Sequence, residues 1–205
     1  MRLTKSHLHS IMSTVINCKG GADMTAKTKP RELAVSGLMT SIICILSPIS
    51  VPLPGMVPIS LATLSLYLCT YLLGGKRTVI CYTVYLALGC IGIPVFSGFT
   101  GGLSRLVGPT GGYLIGYFAI IVSEGAMVKH FPSNKTLHIV GMVFGTVVCY
   151  LFGTAWLCLI QNISFVSGLF AGVLPFIPGD AAKIAAVCAI APIMRSRLEK
   201  AGLLH

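Results

Sequence analysis

The chain has 205 residues, a mean hydropathy of +0.88, 55% hydrophobic residues, only 10% charged residues and a formal net charge of +10. Soluble domains carry about 25% charged residues, and here apolar runs long enough to cross about 30 Å of hydrocarbon recur along the sequence. A soluble enzyme is excluded, and the length suits about six membrane spans in one bundle, with no room for a separate soluble catalytic domain. The positive charge does not indicate a nucleic-acid partner, because no basic helix with interleaved aromatic residues is present.

Residues 1–30 are polar, basic and aperiodic, and read as a cytoplasmic tail. Ile11 to Ile16 is too short for a signal-peptide core. Met24 opens "MTAKTKPREL" and offers a second start, which would leave residues 1–23 untranslated. The first span is expected over about Leu33–Ile49 and ends in "SPISVPLPGMVP", where four prolines forbid a continuous helix. A second span covers Ile59–Leu73 and stops at "GGKR"; a third covers Thr78–Ile93 and breaks at Pro94. The glycine-rich "VFSGFTGGLSRLVGPTGG" that follows is irregular, yet too apolar for an ordinary solvated loop. The fourth span starts near Tyr113 and closes at "KHFPSNK", and the fifth covers about Leu137–Ile160. After "QNISFVSG", a last apolar stretch carries Pro175 and Pro178, then a helix from about Gly179 to Met194, then the tail "RSRLEKAGLLH". The division is therefore an N-terminal tail over 1–30, a six-helix transmembrane domain over 31–196 and a C-terminal tail over 197–205.

All but two of the 15 Lys/Arg fall in the tails or in alternate loops: six before the first span, Lys76 and Arg77, Lys129 and Lys135, then Arg195, Arg197 and Lys200. The intervening loops hold only Arg105. Basic excess in alternate loops sets orientation. The expected fold is an all-α membrane protein, a single bundle of six transmembrane helices with long structured outer loops and both termini cytoplasmic.

Non-helical backbone at membrane depth is tolerated where it is buried in protein or lines a cavity, so three long apolar loops on one side point to a lid over an outward-facing pocket. In "PFIPGDAAK", Asp180 and Lys183 are three apart, hence on one helix face. Either charge alone costs about 2.5–3.5 kcal/mol at mid-membrane. A self-neutralising structural pair would satisfy the count, but the start of this helix lies near the outer loops, and the pair reads as a ligand site. "GPTGGY" contributes Gly111, Gly112 and Tyr113 at a helix entrance, with Thr110 as N-cap; free N–H groups there favour an anion. Arg105, upstream, adds a guanidinium, and the combination suits a carboxylate. Glu124 is expected as a solvated interfacial carboxylate pairing with the basic loop. In the first span Ser36 with Thr40, and Gly37 with Ser41, form small-xxx-small pairs that serve either internal packing or docking of another membrane protein. The eight cysteines show neither CxxC nor zinc spacing and read as small buried hydrophobes; no metal site is expected.

"VPLPGMVPISLATLSLYLCTYLLGGKR", "VYLALGCIGIPVFSG", "GGLSRLVGPTGGYLIGYF" and "PFIPGDAAK", in this order, resemble the BioY family, the biotin-binding S components of energy-coupling-factor vitamin transporters. The resemblance covers about Leu33 to Met194. It implies a non-enzymatic six-helix bundle in a prokaryotic plasma membrane that captures biotin at its outer face as transported ligand, with no resident cofactor. It further implies a membrane scaffold protein and two cytoplasmic ATPases as partners, and a scaffold-contacting role for Ser36, Gly37, Thr40 and Ser41. The family's Ala-x-x-x-Ala spacing is represented there only in a small-residue version. By resemblance Asp180, Lys183 and Arg105 hold biotin. No GxxxxGK[ST] occurs, so this chain lacks that ATP site. The other classes still open are an S component for another small vitamin and a small secondary transporter working alone.

Overall fold

The computed structural model describes residues 30–52, 57–132 and 134–203. The expected N-terminal tail and its second start at Met24 lie outside the described residues.

Helix α1 spans Pro30–Leu46 and opens on a proline, whose missing N–H is no loss in a first turn. Two short antiparallel strands follow, β1 (Ser50–Val51) and β2 (Ile59–Ser60), with Ser50 opposite Ser60. Helix α2 (Ala62–Leu73) turns at Gly74, φ 77°, into α3 (Gly75–Cys90); a residue with a side chain would be strained in that corner. A short helix α4 (Leu103–Val107) precedes α5 (Gly111–His130). Helix α6 (Lys135–Gln161) is capped by Asn134, whose Oδ1 accepts from the Thr136 and Leu137 amides, and ends at left-handed Asn162. Then come α7 (Phe165–Gly172) and α8 (Phe176–Lys200).

Among the described residues, α5, α6 and α8 are long and apolar enough to cross a membrane, and α2 is a shorter apolar helix. Helix α2 is buried along nearly its whole length and forms the centre of the bundle. Helices α5 and α6 pack backbone to backbone. A Cβ on Gly145 would lie 2.6 Å from Ile120 Cα, and one on Gly141 would lie 3.0 Å from Glu124 Cα, so only glycine admits this approach. On the outside of α6, Val140, Phe144, Leu151 and Leu159 are exposed; a helix apolar on all faces is suited to lipid as its solvent.

The loops between α1 and α2 and between α3 and α5 interlock at one end. The Gly98 amide donates to the Pro48 carbonyl at 3.0 Å, and the Gly102 amide to Gly89 at 2.7 Å. Phe96 is buried against the Tyr85 ring and over Gly89, where any Cβ would collide with it. The indole N–H of Trp156 donates to the Gly108 carbonyl at 3.0 Å and ties the loop before α5 to α6.

Several boundaries differ from the sequence expectation. Ile59 and Ser60 form a strand rather than the start of the second span, because they pair with Val51 and Ser50 of β1. The last helix begins at Phe176, not Gly179, since Pro178 sits in the first turn, where no amide bond is lost. It also continues past Met194 to Lys200, carried by an Arg195–Glu199 ion pair one turn apart at 2.9 Å. Segments expected as irregular contain α4 and α7.

Candidate ligand-binding site

Asp180 and Lys183 lie one turn apart near the start of α8, and both are buried, 5% and 8% exposed. Lys183 Nζ donates to Asp180 Oδ1 at 2.8 Å. The Thr63 hydroxyl of α2 joins the pair: it donates to Asp180 Oδ1 at 3.1 Å and accepts from Lys183 Nζ at 3.0 Å. From α6, the Tyr150 hydroxyl donates to Asp180 Oδ2 at 2.5 Å. Three helices therefore converge on one carboxylate. An ammonium has three donors; two are used among the described residues, which leaves one for a ligand acceptor. Buried charge with this much hydrogen bonding is tolerable, whereas removing one partner strands the other.

The cluster borders a chamber lined also by Ser60, Tyr113 and Tyr117 and roofed by Val57 and Pro58. A second chamber, lined by Ser97, Thr100, Arg105 and Thr110, shares Val57, Pro58, Ser60, Tyr113 and Tyr117 with the first, so the two are halves of one cleft. Their free volumes are about 50 Å³ on the Arg105 side and about 30 Å³ on the Asp180 side. That is too little for a molecule of vitamin size, so the roof or the lining must give as a ligand enters. The cleft thus has a hydrogen-bonding end at Asp180 and Lys183 and a cationic end at exposed Arg105, with tyrosine rings between.

Of the residues singled out from the sequence, Asp180, Lys183, Arg105 and Tyr113 line this cleft. Gly111 and Gly112 are not among its lining residues. A Cβ on Gly111 would strike the Leu106 carbonyl and one on Gly112 the Trp156 side chain, so these glycines let α5 pack closely on α4 and α6. Thr110 makes no side-chain cap bond to α5. In α1, the hydroxyls of Ser36, Thr40 and Ser41 donate to carbonyls four residues back, Glu32, Ser36 and Gly37. Gly37 and Ser41 lie on an open face, with no atom of the described residues within 4 Å of a Cβ placed at Gly37, whereas Ser36 and Thr40 are half-buried.

The expectation for Glu124 is corrected. It is fully buried, and neither carboxylate oxygen has a hydrogen-bond partner among the described residues. Counting residues along α5 places it near the basic loop, but it lies on the face that packs against Gly141 of α6. Thr63 and Tyr150 are the residues the sequence reading missed.

The chain is 36% identical over 154 residues to the biotin transporter BioY2 of Lactococcus lactis, covering 73% of this chain and 82% of that one. It is 32% identical over 163 residues to a probable biotin transporter BioY of Pyrococcus horikoshii, covering 80% and 95%. The fold matches the crystal structure of the S-component for biotin from an ECF-type ABC transporter with a TM-score of 0.77 and 31% identity, over 84% of this chain and 95% of that one. The profile of the BioY family matches residues 23–200, and this chain belongs to that family.

Proposed function

We propose that this chain is the membrane substrate-capture component of a biotin uptake system, binding biotin at its outer face and passing it to an ATP-driven coupling module. The observation that carries this reading is the cleft with two unlike ends: the buried Asp180–Lys183–Thr63–Tyr150 cluster at one and Arg105 at the other. A ureido ring offers N–H donors to Asp180 and an acceptor to the spare Lys183 proton, and a carboxylate is held by a guanidinium. Two cations and one carboxylate leave one positive charge for a monoanion. The tyrosines between the ends suit the apolar middle of such a ligand.

The proposed topology is six spans, α1, α2, α3, α5, α6 and α8, with both termini cytoplasmic in the cell membrane. It is supported by the position of Lys76, Arg77, Lys129, Lys135 and Arg195 at helix ends opposite the cleft. With no GxxxxGK[ST], energy comes from partners: a membrane scaffold protein and two cytoplasmic ATPases. The open small-residue face at Gly37 and Ser41 is assigned to the scaffold.

Equilibrium binding to the purified chain tests the ligand. Biotin is expected to saturate one site, thiamine and riboflavin to show no competition, and biotin amide, which lacks the carboxylate charge, to bind at least tenfold more weakly. Thiamine or riboflavin binding as tightly as biotin would overturn the assignment.

A further inference from the structure

A second concavity lies at the opposite end of the bundle, where α2 turns into α3 beside the last turns of α5 and α8. It encloses about 690 Å³. Its walls include Leu73, Val79 and Val122, and its rim carries Lys76, Arg77, Lys129 and Arg195. Among the described residues, no acidic side chain lines it. Glu32 pairs with Arg77 at 2.7 Å and Glu199 with Arg195 at 2.9 Å, whereas Lys76 and Lys129 have no ion pair among the described residues.

The backbone adds to the field. Helix α3, 16 residues long, starts at Gly75 inside this groove with no side-chain cap, so its positive dipole end faces the space the lysines surround. The floor is bare because Gly75 lies against Gly125: a Cβ on Gly75 would come within 3.1 Å of Gly125 Cα. The wall residue Val122 is 61% exposed, so the groove opens onto the apolar outer surface of α5. A cationic rim above an apolar wall, at the end of spanning helices, matches a phosphate head joined to acyl chains.

We propose that this groove binds an anionic phospholipid, its headgroup phosphate held by Lys76, Lys129 and the start of α3 and its acyl chains against Val79 and Val122. A freely soluble anion would leave the apolar walls unused, and the membrane surface supplies acidic lipid at high local concentration.

The test uses the full chain in nanodiscs of equal phosphatidylglycerol and phosphatidylcholine, with lipid retained on release read by native mass spectrometry. The wild type is expected to retain phosphatidylglycerol preferentially, even with millimolar inorganic phosphate present. Each interfacial lysine contributes about fivefold, so Lys76→Gln with Lys129→Gln should lower the preference by about 25-fold. The Lys76→Arg, Lys129→Arg protein should keep it, and both variants should bind biotin as the wild type does, which reports an intact fold. Equal retention of the two lipids by the wild type, or an unchanged preference in the glutamine variant, overturns the proposal. So does displacement by inorganic phosphate, which would make the groove a soluble-anion site. A groove without lipid preference whose lysines are needed to hold a protein partner would belong to that partner, and also overturns it.

Discussion

At the residue scale, Asp180 serves three partners on three helices, and its charge rather than its shape is what they share. Asp180→Asn keeps the volume, leaves the buried Lys183 ammonium without a counter-charge, and presents one donor where a ureido N–H needs an acceptor. Losing a charged hydrogen bond is worth about 1.5–3 kcal/mol, so biotin affinity is expected to fall roughly 10- to 150-fold. Titration of folded Asp180→Asn protein checks this, and binding within twofold of wild type would make the pair purely structural. Asp180 and Lys183 were legible in the sequence because a charge inside an apolar run is costly and needs a reason. Thr63 and Tyr150 were not. Hydroxyls in these helices are common and mostly bond their own backbone, as Thr70 and Thr83 do four residues back, so a hydroxyl alone carries no signal. Glu124 shows the opposite failure: its position along the helix was read correctly, but its face depends on which neighbour α5 packs against.

At the scale of elements, small residues divide into two kinds that look alike in sequence. Gly145 is closed in, with Ile120 Cα 2.6 Å from its Cβ position, whereas Gly37 has nothing within 4 Å among the described residues. Gly145→Leu is expected to part α5 and α6 and destabilise the bundle by at least the 1–3 kcal/mol typical of overpacking. Gly37→Leu should leave the thermal midpoint unchanged or slightly raised, since leucine is the better helix former by about 0.5–1 kcal/mol. On the proposed docking role, Gly37→Leu should also bind biotin normally and lose ATP-dependent uptake when scaffold and ATPases are present. Uptake that survives would assign this face to lipid. The helices α1, α2, α3, α5, α6 and α8 were legible from hydropathy to within a few residues at most ends, and three of them, α5, α6 and α8, are long and apolar enough to span a membrane. The strand pair, α4 and α7 were not, because each is set by a contact distant in sequence, such as Ser50 with Ser60, rather than by local periodicity.

At the scale of the whole molecule, charge and function are separated end to end. The α2–α3 corner with Lys76 and Arg77, the α5–α6 corner with Lys129 and Lys135, and the last turns of α8 lie at one end. Arg105, the interlocked loops and the cleft lie at the other. On the proposed topology the positive-inside tendency places the first end in the cytoplasm, so that the cleft would meet extracellular ligand and the proposed partners the basic end. Single cysteines introduced in a background lacking the native ones decide it in intact cells with a membrane-impermeant maleimide. Ser104→Cys, exposed beside Arg105, should label from outside, whereas Lys76→Cys and Lys135→Cys should label only after the membrane is opened. Labelling of either lysine position from outside would invert the molecule. The cleft would then face the cytoplasm, a capture role would be untenable, and the acidic leaflet would no longer lie at the Lys76–Lys129 groove.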